Sequence, residues 1–161
     1  MNTDNSGLVK FIKGFGYAFQ GLWYAVKYER NMRFHIGAGA FVLYIMRFFQ
    51  LSGAECAAVY ICIGLVIALE LVNTAIESVV DMVCKGDHPL AKVAKDCGAG
   101  AVLTAAIASV GVAVRLFGQP AVWKSIIAFH LQRPVLCGAI VVLAIVWIAL
   151  VLTTPKKPDD K

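Results

Sequence analysis

The chain has 161 residues, of which 60% are hydrophobic and 16% charged, and its mean hydropathy is +0.75. Soluble domains average about half apolar and about a quarter charged, so the composition excludes an ordinary water-soluble fold and suits one compact membrane domain. The net charge of +5 does not point to nucleic acid, because Lys and Arg gather at the ends of apolar segments, facing anionic headgroups and, in an enzyme, phosphates.

Met1 to Gly7 is polar and no cleavage site follows a short apolar core, so the apolar segments read as spans rather than as a signal peptide. Leu8 to Arg33 reads as an amphipathic surface helix. Leu8, Phe11, Ile12, Phe15, Phe19, Leu22, Trp23 and Val26 form its apolar stripe, and Lys10, Lys13, Lys27, Arg30 and Arg33 its basic side. The first span lies near 34–50, with Arg47 snorkelling at its far end. Ser52 and Gly53 turn the chain, and Glu55 opens a long second helix over 54–83. The connector CKGDHPLAKVAKD is punctuated by Gly86 and Pro89, with Asp87 placed to cap or lead a turn. A third span near 91–115 is rich in Gly, Ala and Ser, which permits close helix contact. RLFGQPAVWK reads as a loop, Ser125 to Arg133 as a short interfacial helix, and the charge-free run Pro134 to Leu152 as a fourth span. Residues 153–161 form a polar tail. The expected fold is all-α integral membrane: a surface helix at 8–33, three spans, and an additional C-terminal transmembrane segment at 125–152.

Cys56, Cys62, Cys84, Cys97 and Cys137 form no C-x-x-C pair and read as small buried residues. His35, His88 and His130 make no metal pair, and His35 and His130 read as interfacial. Trp23, Trp123 and Trp147 read as interface anchors or lipid-facing bulk. Eleven Lys or Arg fall on the side of the termini and the connector, and four on the other: Arg47, Arg115, Lys124 and Arg133. The richer side is expected to be cytoplasmic.

Within the second helix, Glu70, Asn73, Glu77 and Asp81 are spaced by three, four and four, which stacks them on one face. Carboxylates in a membrane helix are costly and mark a functional site. The cytoplasmic side also gathers Glu29, Asp87, Lys92, Lys95 and Asp96. Acidic groups that hold magnesium, lysines for phosphate oxygens and a carboxylate base together suit phosphoryl transfer. The face alone leaves three readings open: an enzyme, a transport or proton-relay protein, and a structural polar seam. No G-x-x-x-x-G-K-[ST] motif, kinase Gly-rich loop, H-R-D or D-F-G element is present, so any ATP site is built from helix side chains.

The run ELVNTAIESVVD followed by HPLAKVAKDCGAGAVL resembles the prokaryotic diacylglycerol kinase and undecaprenol kinase family of small integral-membrane lipid kinases. FIKGFGYAFQGLWYAVKYERNMRFHI resembles the family's surface helix, and the likeness covers about Lys10 to Phe117. The resemblance implies that Glu70 is the base that takes the lipid hydroxyl proton, with Asn73 ordering the site. It implies Glu77 and Glu29 as magnesium ligands, and Asp81, Lys95 and Asp96 as nucleotide and phosphate contacts. Tyr17 and Lys10 match positions near the nucleotide and its phosphates, and Asp87 and His88 fall where the family's connector contacts nucleotide. The chain departs from the family in its fourth span and in the KGDHPLA connector.

The resemblance further implies Mg2+ as cofactor, ATP as phosphoryl donor, a homotrimer with the site completed across a subunit boundary, and a multi-pass protein of the bacterial cytoplasmic membrane. The HPLAKVAKD stretch favours undecaprenol as substrate, with diacylglycerol as the alternative. From another class, a proton- or ion-coupled transporter would reuse the same acidic face, and a third reading makes the chain a stabiliser of another membrane complex.

Overall fold

Six α-helices and no strand make up the described residues, 4–153 and 155, in the computed structural model. They are α1 (Asp4–Tyr28), α2 (Arg30–Met46), α3 (Gly53–Val83), α4 (Pro89–Phe117), α5 (Pro120–Leu131) and α6 (Pro134–Leu152). By length and composition α3, α4 and α6 are long and apolar enough to cross a membrane. The protein is thus an all-α integral membrane protein. Apart from Thr153 and Pro155, the polar tail lies outside the described residues.

Sequence cues set the helix starts. Ser52 caps α3: its Oγ accepts from the Glu55 backbone N–H at 3.3 Å, while the Glu55 carboxylate accepts from the Ser52 N–H at 2.8 Å. Pro89, Pro120 and Pro134 each open a helix, where a missing N–H costs nothing. His88, rather than Asp87, caps α4, its Nδ1 accepting from the Leu90 N–H at 3.2 Å. The segment RLFGQPAVWK is therefore not a plain loop, since helix α5 begins at Pro120 within it.

The N-terminal helix does not continue to Arg33. The chain kinks at Glu29, whose backbone is extended (φ −101°, ψ 117°). Arg33 explains the break: it is buried, and its Nη1 donates to the Val26 and Lys27 carbonyls at 3.0 and 2.7 Å. These belong to the last turn of α1, where carbonyls lack intrahelical donors and positive charge is favoured. The segment expected as a first span near 34–50 forms the 17-residue helix α2, which is shorter than the three helices able to cross a membrane and is followed by a tight turn at Arg47–Phe49.

Helices α3 and α4 pair along their length; α2 packs on α3, and α6 on α2. A core of Ile45, Phe49, Val59, Phe117 and Ile126 closes the bundle at one end. There the Phe49 and Phe117 rings sit 4.9 Å apart, and the Trp123 indole donates to the Phe117 carbonyl at 2.6 Å. His130 belongs to this end too, its Nε2 lying 2.6 Å from the Tyr44 hydroxyl, so it is a packing contact and not simply an interfacial group. Trp147 on α6 is likewise not a lipid-facing anchor: its indole lies against Gly37 of α2, where a Cβ would collide with it. The outward faces of α3, α4 and α6 stay apolar, with Ile61, Leu103, Ile107 and Leu143 exposed, as a lipid-facing surface requires.

Candidate active site

Helix α3 has 31 residues, about 46 Å at about 1.5 Å per residue. A ~30 Å hydrocarbon core takes about 20 of them, so a core beginning at Gly53 ends near Asn73. Glu70 falls just inside that edge, and Glu77 and Asp81 fall beyond it.

Glu70 is 3% and Asn73 8% exposed, because the α3 face that carries them packs on α2 and α4. The Asn73 amide donates to the Glu77 carboxylate at 2.9 Å, one helical turn along. Its Oδ1 has no hydrogen-bond partner among the described residues and faces Gly98 of α4. Thr74 and Ser78 turn their hydroxyls back onto the carbonyls of Glu70 and Thr74, at 2.9 and 2.8 Å, so they add no polar group to the face. Glu29 lies near Glu70 as well. Glu29 arrives from the α1–α2 kink that Arg33 holds. Glu70, Asn73 and Glu77 thus share one side of α3, with Glu29 of the kink close by.

The sequence gives no sign of the next contact. His35, one turn into α2, puts its Nε2 3.2 Å from the Glu70 carboxylate. It is therefore turned into the bundle and not confined to the interface. The same ring borders an apolar groove of about 290 Å³ between α2, α3 and α4, walled by Val42, Val59, Ile63, Val66 and Phe117.

The remaining site residues form a second group. An open cavity of about 580 Å³ at the α3–α4 connector is lined by Asp81, Asp87, His88, Lys92, Lys95 and Asp96. Lys95 donates to Asp81 at 2.5 Å, joining the last turns of α3 to the first of α4. The stripe read from the sequence therefore divides: Glu70, Asn73 and Glu77 face the bundle, and Asp81 faces the connector. Lys10 and Tyr17 lie on exposed faces of α1, and no hydrogen bond or ion pair among the described residues ties them to either group.

Comparison with known proteins decides the family. The model of the prokaryotic diacylglycerol kinase family matches residues 16–117, which contain both groups. The chain belongs to this family. It is 41% identical over 110 residues to an undecaprenol kinase of Bacillus subtilis, covering 68% of this chain and 89% of that one. It is 47% identical over 97 residues to a diacylglycerol kinase of Synechocystis, covering 60% of this chain and 55% of the relative. A diacylglycerol kinase of Escherichia coli is 32% identical over 110 residues, covering 68% of this chain and 90% of the relative. Membership in the prokaryotic diacylglycerol kinase family makes the protein a lipid kinase, which needs a phosphoryl donor and a lipid acceptor. The transporter and scaffold readings of the acidic face are thereby set aside.

Proposed function

We propose that the protein transfers the γ-phosphoryl group of ATP to the primary hydroxyl of a membrane lipid, undecaprenol before diacylglycerol, at the inner leaflet of a bacterial cytoplasmic membrane. One observation carries this reading: two environments meet at Glu70. On one side, through His35, lies an apolar groove. On the other lie Glu77, on the same face of α3 and held by Asn73, and Glu29 of the α1–α2 kink. A lipid chain in the groove brings its hydroxyl to Glu70, and phosphates reach it from the polar end.

Glu70 acts as the base. It accepts the hydroxyl proton as the lipid oxygen bonds to the γ-phosphorus and the bond to the bridging oxygen breaks, releasing ADP. Glu77 and Glu29 would hold Mg2+, which, when bound, neutralises charge on the phosphates. The donor set fits such an ion. No group of three or more His, Cys, Asp or Glu forms a full metal cage among the described residues. Magnesium at a nucleotide needs only one or two carboxylates, its other positions being phosphate oxygens and water. Asn73 orders Glu77 through its amide. Lys95, held at the connector by Asp81, steadies phosphate oxygens, with Asp87, His88 and Asp96 on the nucleotide side of the same cavity. Lys10 and Tyr17 close over the nucleotide from the exposed face of α1.

Residues 8–117 are the kinase domain in this reading, and α5 and α6 an addition to it; the family match at 16–117 supports the division. A homotrimer that completes the site across a subunit boundary accords with the exposed faces of α1 and α4. The bias of Lys and Arg toward the connector side supports a cytoplasmic site.

Substrate choice rests on the HPLAKVAKD stretch and on the relative in Bacillus subtilis, named an undecaprenol kinase. The higher identity to the diacylglycerol kinase of Synechocystis, over a shorter segment, favours diacylglycerol as the second reading. A panel of purified lipids with labelled ATP decides between them. Undecaprenol is expected to give the higher kcat/KM, with product formation lost on chelating magnesium. A higher kcat/KM for diacylglycerol reverses the preference.

A further inference from the structure

Glu70 is almost fully buried, on the α3 face that it shares with Glu77. A base in that position needs a donor that fixes one oxygen and leaves the other to the substrate. His35 meets this need from a different helix, with Nε2 3.2 Å from Oε1 of Glu70.

We infer that His35 is a positioning residue for the phosphoryl transfer: its Nε2–H holds Oε1 of Glu70 and aims Oε2 at the lipid hydroxyl. This rests on the assignment of Glu70 as the base. Two further observations support it. The His35 ring lines the apolar groove and is one of few polar groups on its wall. The proposed path of the hydroxyl into the site therefore passes the ring that holds the base. In addition, α2 is anchored just upstream, where Arg33 ties its first turn to the end of α1. The imidazole is thus carried on a fixed backbone, and a fixed donor loses little freedom on holding a carboxylate. The arrangement resembles the way a third group orients the base in other activated sites.

The test uses the full-length enzyme in mixed micelles with ATP and undecaprenol. H35A is expected to lower kcat about 10- to 100-fold while the KM for ATP changes less than about twofold. H35Q places an amide donor near the position of Nε2 and is expected to regain most of that loss. Thermal unfolding of both variants is expected to match the parent closely enough that folding does not account for the difference. On an E70Q background, H35A is expected to cost nothing further, because the group it positions is gone. Parent-level kcat in H35A, or equal loss in H35A and H35Q, overturns the inference. Full activity in E70Q overturns instead the assignment of Glu70 as base, so the two failures are distinct.

Discussion

Asn73 of α3 occupies the space that a side chain at position 98 of α4 would need. A Cβ built on Gly98 collides with the Asn73 Oδ1 and meets Ile76 Cδ1 at 3.5 Å. The absence of a side chain at Gly98 is what lets the two helices close beside the carboxylates. A methyl group there must either displace Asn73, and with it the amide that holds Glu77, or spread α3 from α4. Gly98→Ala is expected to cost about 1–3 kcal/mol of stability, as overpacking does, and to lower kinase turnover. Thermal unfolding in detergent and a lipid-phosphorylation assay check both; unchanged values in both would show that Asn73 moves aside freely.

Glu70 and Glu77 share one face of α3, two turns apart, and differ in role. Glu70→Gln keeps the shape and removes the proposed base, so turnover is expected to fall about 10²- to 10⁴-fold with nucleotide affinity retained. Glu77→Gln removes a charge proposed to face the metal. It is expected to raise the magnesium concentration for half-maximal activity about tenfold or more, the equivalent of one lost charge-assisted contact. Magnesium titrations of turnover, with nucleotide binding measured separately, distinguish the two effects.

Arg33 reaches two carbonyls of the preceding helix with one nitrogen. The guanidinium is more weakly hydrated than an ammonium, which suits its burial here, whereas a lysine would have to strip a strongly hydrated charge to reach the same carbonyls. Arg33→Lys is therefore expected to loosen the Glu29 kink, at a cost of about 1–3 kcal/mol, and to expose the α1–α2 junction to proteolysis. Limited proteolysis in detergent reads this directly; a digestion pattern identical to the parent's would remove Arg33 from its place as the clamp.

Trp147 is held by α2 through shape rather than by a hydrogen bond. Its Nε1 is buried with no partner among the described residues, hard against Gly37. Trp147→Phe removes an unsatisfied donor and also the part of the indole packed on Gly37; the two effects oppose each other, so the melting temperature is expected to change little, with full kinase activity. Gly37→Ala forces the indole away and is expected to lower it. A marked fall in melting temperature in Trp147→Phe would show that the lost packing outweighs the unsatisfied donor.

Much of this is legible in the sequence, for identifiable reasons. The alignment of Glu70, Asn73 and Glu77 follows from helical periodicity, which any uninterrupted apolar helix obeys. The start of α3 follows from Ser52 and Glu55, a local pair that forms the same box wherever it leads an apolar run. What escapes is made by residues distant in sequence. The break at Glu29 has no Gly or Pro to announce it; Arg33 makes it by reaching back to Val26 and Lys27. His35 and Glu70 meet because α2 packs on α3, and neither segment's pattern specifies that register. Trp147 and Gly37 are 110 positions apart and meet only once α6 folds back on α2. Pro120 reads as a breaker in a list of loop residues, yet at the first position of a helix it is a starter.

The side of the membrane on which α3 ends is the point on which the chemistry depends, and the chain carries its own reporters. Cys56 lies near the start of α3 and Cys84 caps its end, next to Asp81 and the connector cavity. Single-cysteine forms that keep one or the other can be treated with a membrane-impermeant thiol reagent in inverted and in right-side-out vesicles. The Cys84 form is expected to react in inverted vesicles only, and the Cys56 form to be protected there. Reaction of Cys84 in right-side-out vesicles alone would put Glu77 and Asp81 on the face away from cytoplasmic ATP, and the proposed phosphoryl transfer could not occur there.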